Sequence, residues 1–190
     1  MATNKLDGLD LRTFKDAAQW EAWLSEHHGR DAGVWLRIAK KASGRTSVTI
    51  AEALDVALCY GWIDGQRRAL DESYFLQKYT PRRPRSSWSK VNTEKVEALI
   101  AAGRMRAPGL AEVEAARENG RWDAAYVSQK EATVPPDLAD ALERDAEAAA
   151  AFEALGRTDR YLVILSLLKT LKPERRAARL REIVTVLKAG

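Results

Sequence analysis

Between Trp62 and Asn92 the chain gathers side chains of the kinds that bind anions: Trp62, Asp64, Arg82, Arg83, Arg85, Trp88, Ser89 and Asn92. An Arg guanidinium presents a rigid fork of donors that matches phosphate or carboxylate. A helix beginning after Ser89 would add backbone N–H groups aimed at the same anion. Trp62 or Trp88 offers a flat apolar wall for a ring or a guanidinium. Asp64, between Ile63 and Gly65, has two readings. It orients an Arg or reads a ligand donor, or it bonds its own backbone in a turn. Lys40 heads the basic loop Lys40-Lys41-Ala42-Ser43-Gly44 and adds a cation, although this loop lacks the glycine spacing of a phosphate-binding loop. The expected ligand-binding set is therefore Lys40, Trp62, Asp64, Arg82, Arg83, Trp88, Ser89 and Asn92, with a small anion as ligand. Charge supports it: from Asp64 to Arg106 ten Lys or Arg stand against five acids.

Other chemistries find less footing. His27-His28 point about 100° apart on a helix and have no third ligand nearby, so they read as a helix end rather than a metal site. Cys59 follows an apolar run and reads as core, not as a nucleophile. No Ser-His-Asp order, zinc-protease motif or dinucleotide fingerprint is present. No catalytic residue, metal or cofactor is assigned. An enzyme on a small anionic metabolite, with Asp64 as base, stays open as an alternative. The net charge of +4 is mild and no RNA- or DNA-binding motif appears, so nucleic acid is not the expected partner.

A chain of 190 residues with 46% apolar content suffices for one compact domain or a domain with a helical appendage to hold these side chains. The single cysteine excludes an internal disulfide. Met1 to Asp10 has no basic stretch followed by an apolar run, so no signal peptide is read. The longest apolar run, Tyr161 to Leu168, is far short of the roughly 20 residues a membrane span needs. A cytoplasmic protein without a membrane span is expected.

The aromatics crowd the first two thirds. All six Trp lie before residue 127, and the tail is rich in Ala, Leu, Glu and Arg. Pro135-Pro136 marks the likeliest break, giving an α+β part over 1–130 and a helical module over 137–190. A helix is expected over 16–28, capped by Asp16 and ended by Gly29. Strands are expected over 33–41, 62–70 and 73–80, forming a small antiparallel sheet of about three strands. Thr49 and Glu52 make a capping box for a helix ending near Gly61. Pro81 and Pro84 should stop the last strand. Ser89 or Asn92 should cap the next helix, and Pro108-Gly109 should precede another. The tail reads as three or four helices. The one over 160–171 is apolar nearly all round, as a buried helix would be, and the last carries a stripe of Leu180, Ile183, Val184 and Leu187.

Several of these residues together resemble a known family. Trp23, His27-His28, Gly33-Val34-Trp35-Leu36, Cys59-Tyr60-Gly61-Trp62-Ile63-Asp64-Gly65, Thr80-Pro81-Arg82-Arg83-Pro84, Ser87-Trp88-Ser89, Gly120-Arg121-Trp122 and the tail from Pro136-Asp137-Leu138 to Pro173-Glu174-Arg175-Arg176 resemble the YdeI/OmpD-associated, or bacteriocin-protection, proteins. That family is bacterial. The resemblance implies a role in stress or bacteriocin protection, with no established reaction. A non-catalytic binding protein is the first expectation. A module that docks a protein partner or a second copy through its C-terminal helices is the alternative.

Overall fold

The computed structural model describes residues 5–189. Its elements are α+β, and they fall into two compact units. The first comprises the chain up to Ser86 together with Glu94–Asn119. The second comprises Ser87–Thr93 together with the chain from Gly120 onward.

The first unit is built on a five-stranded sheet, not one of about three. It holds β1 (Lys5–Leu6), β2 (Leu9–Arg12), β3 (Val34–Ala39), β4 (Trp62–Ala69) and β5 (Tyr74–Pro81) in the order β1-β2-β3-β5-β4. It is also mixed rather than antiparallel, because β2 runs parallel to β3. The three strands read from the sequence form its antiparallel heart. Val34 lies opposite Tyr79, and Asp64 lies opposite Tyr79 from the other side. Pro81 ends β5 instead of following it, opposite Trp62 at the strand terminus, where its missing N–H costs the ladder least.

Helices α1 (Ala17–His27) and α2 (Ile50–Cys59) form where their caps say they should. Asp16 accepts the N–H of Gln19, and Thr49 with Glu52 closes a reciprocal capping box. Together with Trp62 and Tyr79 of the sheet they make an aromatic core. Trp20 stacks on Trp23 at 5.4 Å and lies 5.7 Å from Tyr79, while Trp62 meets both indoles edge-on. Two of its polar tips are satisfied on the backbone: Trp20 Nε1 donates to the Ala53 carbonyl and Trp62 Nε1 to that of His28. On the other side of the sheet, Trp35 is fully buried with Arg68 and Lys78 over its ring. These long side chains cover apolar surface while their heads stay wet.

A glycine sets how closely α4 (Ala107–Glu118) approaches α2. A Cβ on Gly109 would collide with the backbone carbonyl of Cys59, so only glycine lets the two helices meet there. Pro108 and Gly109 lie inside the first turn of α4 rather than before it, in keeping with proline's tolerance at a helix start.

The chain crosses from one unit to the other within α3 (Lys90–Ala101). In the second unit the start of this helix joins the segment after Gly120. Ser89 bridges Tyr126, and Trp88 packs against Trp122 at 4.9 Å. Four helices complete it: α5 (Pro136–Glu143), α6 (Ala146–Ala154), α7 (Arg157–Leu168) and α8 (Pro173–Ala189). Their core is Leu138, Phe152, Ile164, Leu167 and Ile183, flanked by Leu180 and Leu187 of the expected stripe. Helix α7 is not buried all round. Ile164 and Leu167 face the core, whereas Leu162 is 54% exposed.

Candidate functional site

The eight residues expected to form one site are not gathered in one place. Lys40 follows the end of β3 where Ala39 pairs with Tyr74, and its ammonium donates to the Asp71 carbonyl. Asp64 pairs with Tyr79, five residues further along β5, which at strand rise is about 17 Å away. Trp62 has no exposed surface and Trp88 only 1%, so neither indole is a wall for a ligand. Both were drawn inward by the aromatic area they bury, which outweighs any gain from stacking at a surface. Trp88, Ser89 and Asn92 belong to the second unit, the others to the first. Ser89 works as the cap of α3: its hydroxyl accepts the Asn92 N–H and its carbonyl accepts from Thr93.

What stays together is a charge cluster in the first unit, Asp64 and Arg67 of β4 with Arg82 just past the end of β5. Asp64 is the third residue of β4, just before a bulge between Asp64 and Arg67, and not in a turn. Directly opposed residues share a sheet face, so Asp64 stands on the face of Tyr79, toward the aromatic core. The residue is exposed overall, yet burial of its carboxyl raises its pKa above the ordinary Asp value. Arg67 and Arg82 pull it back only in part. Arg82 is 6% exposed, and its N–H donates to the Gly61 carbonyl, which anchors the chain leaving β5. Arg83 follows it on the surface, its N–H held by the Ser86 hydroxyl.

Two participants had no distinctive sequence signal. Arg67 donates through Nε to Gln77 Oε1, and the fully enclosed Gln77 amide donates in turn to the Gly65 carbonyl, bracing the bulge. Tyr79 is completely buried, and its hydroxyl has no hydrogen-bond partner among the described residues. Burial first, then the Asp64 carboxylate, pushes its pKa well up, so it stays a neutral donor. A β-strand tyrosine is so ordinary that only the register places it beside Asp64.

The remaining motifs are structural. His27 stacks on Trp23 at 4.5 Å with its Nδ1 on the Trp23 carbonyl, and His28 reaches the Leu24 carbonyl. Cys59 is buried and burial raises its thiol pKa, away from the thiolate a nucleophile needs. Among the described residues no group of three or more His, Cys, Asp or Glu is placed to hold a metal, and no helix is long and apolar enough to cross a membrane.

The fold and its charge cluster define a two-unit α+β protein with a sheet-based first half and a helical second half. Residues 12–112 match the family model described as a domain of unknown function (DUF8412), and the chain belongs to that family. Residues 131–190 match a second model, described as bacteriocin-protection, YdeI or OmpD-associated, which is the family the sequence resembles. That match lies in the tail alone. The Trp62-Ile63-Asp64-Gly65 and Pro81-Arg82-Arg83-Pro84 motifs fall within the first match instead. No curated protein and no solved structure matches the chain.

Proposed function

We propose that this is a binding protein with a role in bacteriocin protection, and that its first unit takes an anionic group at the Asp64, Arg67, Arg82 and Arg83 end of the β4–β5 hairpin. The observation that carries this reading is the raised pKa of Asp64 beside two arginines. A carboxyl whose charge is disfavoured by burial, with specific cations around it, is a candidate for a functional site. Arg83, exposed beside this cluster, supplies the accessible cation. The protective role rests on the match of the tail. Inorganic phosphate is the probe. Saturable shifts of the amides of residues 82 and 83, weakened by Arg83→Gln and strengthened by Asp64→Asn, support the reading. Binding indifferent to both substitutions sinks it.

A second reading is favoured by a groove in the helical unit. It has a volume of about 500 Å³ and runs between α6, α7 and α8, lined by Ala151, Val163, Ile183, Val186 and Leu187, with Val186 63% exposed. Arg179 and Glu182 stand at its rim and pair with each other at 2.8 Å. A second copy of the chain, bringing the same apolar stripe and both signs of charge, suits this groove. Light scattering across concentrations, with Val186→Asp as control, tests it; a strictly monomeric protein counts against it.

A further inference from the structure

We infer that the second unit holds a separate site, a cleft between α7 and residues 130–132 that binds a small organic anion with an apolar body, of the size of an aryl phosphate. The cleft has a volume of about 370 Å³, within the range of small-molecule pockets. Helix α7 contributes Arg157, Arg160, Tyr161 and Ile164. These positions recur at i, i+3, i+4 and i+7 and so lie on one helical face. Lys130 and Ala132 line the opposite wall. Every charged residue of the lining is a cation.

Two of these side chains are fixed in advance. The Arg160 guanidinium donates through Nη2 to the Glu153 carbonyl at 2.7 Å and lies 5.5 Å from the Phe152 ring centre. Its Nε is shielded from solvent and has no hydrogen-bond partner among the described residues. The Tyr161 hydroxyl donates to the Val127 carbonyl at 3.0 Å, which ties the segment before the cleft to the helix. Arg157 and Lys130 are exposed, and among the described residues neither side chain forms a hydrogen bond or an ion pair. Of the neighbouring acids, Glu153 lies 3.4 Å from Arg160, and Glu131 accepts from the Ser128 hydroxyl while its charge also feels Lys130. Ile164, only 4% exposed, forms an apolar floor.

A cationic rim, a planar ring and an apolar floor select a molecule with two ends. The anionic end meets Arg157 and Lys130, which are held by no hydrogen bond or ion pair among the described residues. The apolar body lies along Tyr161 and Ile164, where water gains little from staying. A free inorganic ion would use the rim and leave the floor unfilled.

The test is a titration of the isotope-labelled full chain with phenyl phosphate, inorganic phosphate and phenol, followed by NMR. Phenyl phosphate should shift the amides of Ala132, Arg157 and Ile164 saturably, and bind tighter than either other probe by about tenfold or more. A Lys130→Gln, Arg157→Gln double variant replaces exposed residues, so it should keep the spectrum of the folded protein and weaken binding by about tenfold or more. Arg83→Gln should leave this binding unchanged, which separates the cleft from the site of the first unit. The proposal is overturned by absence of saturable shifts at those amides, by inorganic phosphate binding as tightly as phenyl phosphate when read at the same amides, or by undiminished binding there in the double variant.

Discussion

Asp137 in the second unit accepts hydrogen bonds from Arg176 Nε at 2.7 Å and Nη2 at 2.9 Å, and its pKa is lowered chiefly by that grip. Asp64 in the first unit stands on a sheet face toward an aromatic core, and its pKa is raised chiefly by burial. The same side chain is thus a fastener in one unit and a strained charge in the other. The difference follows from how each unit fills its interior. The four-helix cluster of the second unit packs Leu and Ile with one Phe, and ion pairs tie its helix ends together. The sheet unit packs Trp and Tyr, which bury so much area that an ill-placed carboxylate is tolerated.

The largest expected effect attacks the aromatic half of that contrast. Trp62→Ala removes a fully buried indole and its bond to the His28 carbonyl, and should cost about 3–5 kcal/mol. Chemical denaturation read at amides of the first unit checks it. A loss as small as that of a surface substitution would mean the aromatic core does not carry this unit.

Next comes the fastener. Arg176 also donates to the Leu167 carbonyl, so Arg176→Ala frees both that acceptor and Asp137. The pair is partly open to solvent, which discounts its worth to about 1–2 kcal/mol. Denaturation followed at α5 and α8 measures it.

The sign of the pH response gives a finer test. Asp137, with its pKa lowered below the ordinary value of 3.8, supplies stability that is present above that value and lost as pH falls through its folded-state pKa. Asp64, with its pKa raised, does the opposite: its charge penalises the native state above the raised pKa, and acidification relieves the penalty. Asp64→Asn should therefore raise the melting temperature at pH 7, and the gain should vanish once the pH falls below 3.8. Asp137→Asn should lower it at pH 7. Shifts of the same sign for both would break the comparison. At the small end, Lys188→Ala removes an exposed contact with Asp145 and should leave the melting temperature unmoved within error.

Local signals made much of this frame legible. The caps at Asp16 and Thr49 marked two helix starts, the third was open between Ser89 and Asn92 until the structure chose Ser89, and alternation along Val34-Trp35-Leu36-Arg37-Ile38 with the two runs after it marked the antiparallel strands. Strands β1 and β2 escaped because two and four residues are too few for a period, and their pairing is set by partners. The site was half legible. Asp64 and the arginine run stood out by type. The sequence could not say that Trp62 and Trp88 face inward, since a tryptophan near arginines looks the same at a surface as in a core. Lys40 was grouped with Asp64 by charge alone, and only the register of β5 shows that they occupy opposite ends of the sheet.

The passage of α3 from one unit into the other bears on the order of synthesis. Residues 87–93 leave the ribosome with the sheet unit, but Trp122 and Tyr126, the partners of Trp88 and Ser89, follow only after α4 has been made. Closing a loop of that length freely would cost about 3 kcal/mol of chain entropy. Helices already formed within it shorten the effective loop. A newborn chain therefore makes Trp88 some thirty residues before its partner ring, a few seconds at synthesis rates of roughly 5–20 residues per second. A fragment beginning at Gly120 would lack Trp88 altogether and leave Trp122 without its partner ring.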